Sequence, residues 1–147
     1  MSTTVDLLTV THAIAAWTIT GVTIKDTHEI PTAIGQGTAI LMPRPKDFVT
    51  DVRIENTDVT KQNLNFFYTV NYVYYHCAIG NDIFAAYPAL LTNWALIVKK
   101  FSDDAAISGA VDHNPPRIGS IGGMQDNAGN WFHGFLISKE IMQFLEV

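Results

Sequence analysis

The chain has 147 residues, 48% of them hydrophobic and only 16% charged, with 9 basic against 14 acidic side chains and a formal charge of −5. That length suits a single domain over residues 1–147, with a core large enough to fold without disulfide or metal staples. The apolar share excludes a disordered tail, and an acidic chain whose only adjacent cations are Lys99 and Lys100 is a poor candidate for binding nucleic acid.

Charged residues fall well short of the roughly 25% usual in soluble domains. No uncharged apolar run reaches the roughly 18–20 residues of a membrane helix, so the expectation is no membrane association. A chain so short of charge is expected to cover extra surface with copies of itself. Met1 to Val10 lacks the basic start and apolar middle of a secretion signal. Cys77, the single cysteine, cannot form an internal disulfide, which points to synthesis in a reducing cytoplasm.

Ser2, Thr3 and Thr4 are candidate caps for a first helix, in which Leu7, Val10, Ile14 and Trp17 recur at helical spacing and Gly21 is the expected stop. Between Ile30 and Pro45, prolines and glycines mark turns around Thr38–Met42, an apolar run that reads as a buried strand. Val49 to Glu55 alternates, with Val52 and Ile54 facing one way and Asp51, Arg53 and Glu55 the other, as in a half-buried strand. Leu64 to Cys77 is the clearest strand. Fourteen residues would run roughly 46 Å, so it either bends at a bulge or projects as an arm.

The second helix is marked by Ile83, Phe84, Tyr87, Leu90, Leu91, Trp94, Ile97, Val98 and Phe101, with Pro88 expected in its first turn and Lys99 and Lys100 at its negative end. Its back face, Ala85, Ala89, Thr92, Asn93 and Leu96, carries no charge. Either a neighbouring subunit or a groove of the monomer covers it. Short strands are expected near Ala106–Val111 and Ile118–Ile121. Asp126–Asn130 reads as a hairpin turn before a strand over Trp131–Ser138, with Phe132 and Leu136 inward. Ile141–Val147 ends the chain as a strand or a helical turn. This order predicts an α+β fold, a two-layer sandwich with two helices on one face of a mainly antiparallel sheet.

The chemistry-bearing residues form no recognisable constellation. His12, His28, His76, His113 and His133 include no metal-spaced pair, and adjacent His76 and Cys77 point to opposite strand faces. Cys77 is expected to be a packed thiol. No Gly-x-Ser-x-Gly elbow occurs, the Asp103–Asp104 pair follows a helix end, and Gly119–Gly123 lacks the residues that complete a phosphate-binding loop. No catalytic residue, cofactor or metal is expected.

The chain does resemble one family. The resemblance is carried by Ile30–Ile34 leading to Ala39–Pro45, the long strand Tyr68–Tyr75, the helix containing Tyr87–Pro88, and Asp126–Leu136. In pattern and order, residues 28 to 140 are similar to the tail terminator proteins of long-tailed bacteriophages. The resemblance implies a non-enzymatic virion protein at the head–tail junction. It would form a ring, expected to be a hexamer, that ends tail-tube polymerisation. Its expected partners are other copies of itself, the tail tube protein and a neck or head-completion protein, with DNA passing through the lumen without specific binding. The expected subunit-interface residues are Tyr72, Tyr74, Ala89, Asn93 and Leu96. The alternatives are another neck (head-closure) or tail-tube protein, or a small-ligand module with Tyr72, Tyr74 and Trp131 lining a pocket between helices and sheet.

Overall fold

The computed structural model describes residues 7–31, 34, 39–56, 63–80, 83–103, 107 and 114–146. In chain order the elements are α1 (Leu7–Ala15), β1 (Thr23–Ile24), a 3-10 turn (Thr27–Glu29), β2 (Ile40–Pro43), β3 (Val49–Asn56), β4 (Asn63–Ala78), α2 (Ile83–Phe101), β5 (Arg117–Ile118), β6 (Gly122–Gln125) and β7 (Trp131–Glu146). The fold is α+β. Its seven described strands form one sheet in the order β1-β2-β4-β7-β5, with β3 also on β4 and β6 also on β7. Only the β1–β2 pair is parallel.

Two 16-residue strands, β4 and β7, make the spine. They run antiparallel from Asn63 opposite Glu146 to Ala78 opposite Phe132, and the register shifts once, between Tyr75 and Cys77. That register sets the core. It places Tyr68, Tyr72 and Tyr74 across from Ile141, Ile137 and Phe135, and alternation puts all six on one face. They form one cluster with Val10 and Ile14 of α1 and Leu90, Ile97 and Phe101 of α2. Phe101 meets Trp17 and Tyr72 edge-on, with centroids 4.9 and 5.4 Å away. On the other face Ile40, Met42, Val73, Tyr75 and Phe132 form a second cluster with Ile34.

Several local expectations change. The caps Ser2–Thr4 lie outside the described residues. Helix α1 stops at Ala15, before the β-branched run Thr18–Thr20, which favours extended backbone; Gly21 instead takes φ +80° in the turn bridged by Ile19 and Val22. In β3, a bulge between Thr50 and Arg53, with Asp51 at φ +54°, interrupts the alternation. Val52 and Ile54 are therefore not half-buried: each is 55% exposed.

Pro88 lies six residues into α2, where it withholds one N–H from the helix ladder, rather than in the first turn. The two segments expected at Trp131–Ser138 and Ile141–Val147 are one strand. The strand expected at 106–111 falls outside the described residues, except for buried Ile107. Among the described residues, no helix is long and apolar enough to cross a membrane.

Candidate functional site

No charged residue occurs between Phe84 and Val98, all the way round four turns of α2. One side of that stretch is fully used: Leu90 and Ile97 are buried against the sheet. The other side faces outward, with Phe84 86% exposed, Leu91 47% and Leu96 39%, beside exposed Ala85, Ala89, Thr92 and Ala95. Phe84 and Leu91, expected to be core, therefore flank the surface. Pro88 also lies on it. An exposed helix face of this composition lacks the charges that normally solvate one.

Of the residues expected at a subunit interface, the structure leaves Ala89 and Leu96 exposed on this face, half-buries Asn93 and buries Tyr72 and Tyr74. Tyr72 and Tyr74 are 1% and 0% exposed, because the β4–β7 register turns them towards the helices and into the chain's own core. Asn93 is drawn inward by a partner no local pattern reveals: its Nδ2 donates to the Tyr74 hydroxyl at 2.8 Å. The space between helices and sheet, where a pocket was expected, holds packed side chains. Among the described residues Tyr72, Tyr74, Phe101 and Phe135 fill that space, and Trp131, 52% exposed, lies beside Gly123 and Ile79 near the start of β7.

Beneath α2 runs a polar seam. The Tyr74 hydroxyl, held by Asn93, donates to Nδ1 of His76 at 2.6 Å. Burial pushes the Tyr74 phenol up to about 12, against the pull of the Asn93 hydrogen bond. His76 titrates below its ordinary range because burial disfavours the cation, helped by repulsion from His133 and opposed by a hydrogen bond with the Ala86 backbone. His133, opposite Cys77 in the register, packs edge-on against Tyr87 at 5.6 Å. Cys77 is buried, as a packed thiol should be. These groups lie inside the α2–sheet junction, where they lock the helix in position.

A second polar cluster joins α1 to the 3-10 turn. Asp26, 4% exposed, caps that turn: its carboxylate accepts from the Thr27 N–H at 2.6 Å, and its own N–H donates to Glu29 Oε1 at 3.0 Å. The same carboxylate is bound by Nδ1 of His12 and lies 3.9 Å from Nδ1 of His28. Burial alone would raise the Asp26 pKa, but the Thr27 and His12 hydrogen bonds outweigh it and hold the carboxyl below the usual range. No group of three His, Cys, Asp or Glu side chains among the described residues is arranged to hold a metal ion.

Lys139 was not foreseen. It is 1% exposed on the helix-facing side of β7, and its Nζ donates to the Asn114 carbonyl at 2.5 Å. Set beside protein-family profiles, curated proteins and solved structures, the chain matches none.

Proposed function

We propose that this chain is a structural ring subunit of a long-tailed phage virion, a tail terminator at the head–tail junction. The reading takes the fold as a two-layer sandwich, with α1 and α2 on one side of the sheet. The observation that carries it is the uncharged stretch of α2 from Phe84 to Val98. A stretch of helix apolar or small on every side is normally covered on every side, and here the described residues cover only one.

A ring supplies the missing cover. In a cyclic assembly each copy buries two different patches against its neighbours, so a helix packed on its own sheet also meets the next copy. In this reading Ala89, Leu91 and Leu96 contact the neighbour, whereas Tyr72, Tyr74 and Asn93 hold the subunit together. Six copies, a tube protein below, a neck or head-completion protein above, and DNA sliding through the lumen complete the proposal, which rests for them on the family resemblance. The low share of charge fits a surface largely lost to neighbours.

Negative-stain electron microscopy with light scattering tests this directly. Closed rings with a central hole are expected, and Leu91→Glu should give monomers whose thermal melt matches the parent monomer's. A parent protein that stays monomeric at high concentration in the presence of tail tubes would refute the proposal, as would rings unaffected by Leu91→Glu.

A further inference from the structure

We infer that His12, on α1, and His28, on the 3-10 turn, form a binding site for one divalent transition-metal ion of the Zn²⁺ or Cu²⁺ class, with buried Asp26 as the group that orients the two imidazoles.

The sequence offers no metal-spaced histidine pair, and the fold makes one. The two rings meet edge to face, with centroids 6.3 Å apart. Both present Nδ1 to the same Asp26 oxygen, His12 in a hydrogen bond and His28 at 3.9 Å. Asp26 is itself fixed, because its other oxygen accepts from the Thr27 N–H and, at 3.2 Å, from the Thr27 hydroxyl. A carboxylate only accepts, so the His12 proton sits on Nδ1 and Nε2 keeps the lone pair that a metal needs. An imidazole whose Nδ1–H is held by a carboxylate is the usual arrangement of a metal-binding histidine. The His12 and His28 side chains are 51% and 71% exposed, open to an ion from solvent.

Charge selects a cation. The Asp26 carboxyl, held below its usual range, stays ionised beside both rings. His12 lies in the last turn of α1, at the negative end of the helix dipole. An anion would be repelled by both. Ligand type then selects the metal, since imidazole suits Zn²⁺, Cu²⁺ and Ni²⁺ whereas Mg²⁺ and Ca²⁺ take oxygen ligands. Two imidazoles at about 2.0–2.1 Å from a tetrahedral ion set their centroids about 5 Å apart, so the more exposed ring, His28, has to close by about 1 Å. No third His, Cys, Asp or Glu among the described residues completes the set, so water fills the remaining positions and the ion exchanges. Bound there, it ties α1 to the 3-10 turn.

None of these residues belongs to α2, so the site does not depend on the ring reading. The test is isothermal titration calorimetry of the untagged protein with the chlorides of Zn²⁺, Cu²⁺ and Mg²⁺, together with thermal melts. One Zn²⁺ per chain is expected, saturating below about 0.1 mM, with Cu²⁺ tighter, Mg²⁺ not bound, and a Tm raised by the ions that bind. His12→Ala and His28→Ala should each weaken Zn²⁺ by about tenfold or more, and Asp26→Asn by about 10–100-fold. In Asp26→Asn the amide can donate to Nδ1, which moves the imidazole proton onto Nε2. Circular dichroism would establish that the variants are folded, and His28→Ala, mostly in solvent, carries the least risk to folding. The inference fails if Zn²⁺ does not saturate by about 1 mM, if Mg²⁺ binds as well, or if folded His28→Ala binds Zn²⁺ like the parent. A thiolate charge-transfer band in the Co²⁺ complex would overturn it by placing the ion at Cys77.

Discussion

Tyr74→Phe tests whether the Tyr74 hydroxyl locks α2 to the sheet rather than joining one subunit to another. The substitution keeps the ring that packs on Phe135, with centroids 5.3 Å apart, and removes only an oxygen on a residue 0% exposed. Two hydrogen bonds disappear, from Asn93 at 2.8 Å and to His76 at 2.6 Å. Each contributes about 1 kcal/mol, and the half-buried amide and imidazole left behind add a desolvation cost, so the loss should reach about 2–3 kcal/mol. At this chain length that corresponds to a Tm lower by about 4–12 °C.

Urea unfolding followed by tryptophan fluorescence at pH 8 measures it without titrating His76. Because the folded state depresses the His76 pKa, the stability this group supports is fully present above its unfolded value of about 6.5 and is lost as pH falls through the folded one. Asn93→Ala and the double variant complete the cycle, with an expected coupling of about 1 kcal/mol. Oligomer size should not change. A loss under about 0.5 kcal/mol, additive single effects, or broken assembly in a folded Tyr74→Phe would refute the assignment.

Two further substitutions probe the frame. Asp26→Ala should cost about 2–3 kcal/mol at pH 7, from a lost cap and a lost charged partner for His12. The folded Asp26 pKa lies below its unfolded value, so this contribution is complete above about pH 4–5 and vanishes as pH falls through the folded pKa. Melts of parent and variant should therefore converge in acid, and a constant difference down to pH 2 would contradict the pairing. Gly134→Ala would drive a Cβ into the Tyr74 carbonyl of the adjacent strand. A destabilisation of more than about 3 kcal/mol in urea is expected; a near-neutral result would mean that the β4–β7 register differs.

Much of the fold was legible in local pattern. The presence of α2, of strands near Val49–Glu55 and Leu64–Cys77, and of the Asp126–Asn130 turn follows from periodicity and turn chemistry, which neighbours in sequence decide, whereas the bulge in β3 does not. The continuity of β7 was not legible, since Lys139 and Glu140 look like a break; the Asn114 carbonyl, 25 residues away, is a partner that no local pattern reveals for the buried lysine. The faces of β4 were equally hidden. Val73 and Tyr75 are as apolar as Tyr72 and Tyr74, and all four are buried, so alternation could not tell the helix-facing side from the other.

The candidate surface divides the same way. That α2 lacks charge from Phe84 to Val98 is a property of the sequence, and it drew attention to Ala89 and Leu96. That Asn93 points inward was decided by a hydroxyl on another strand, 19 residues earlier in the chain. Spacing along a chain determines which side chains share a face. Long-range pairing decides what that face meets, because the partner's position depends on the register of strands far apart in sequence.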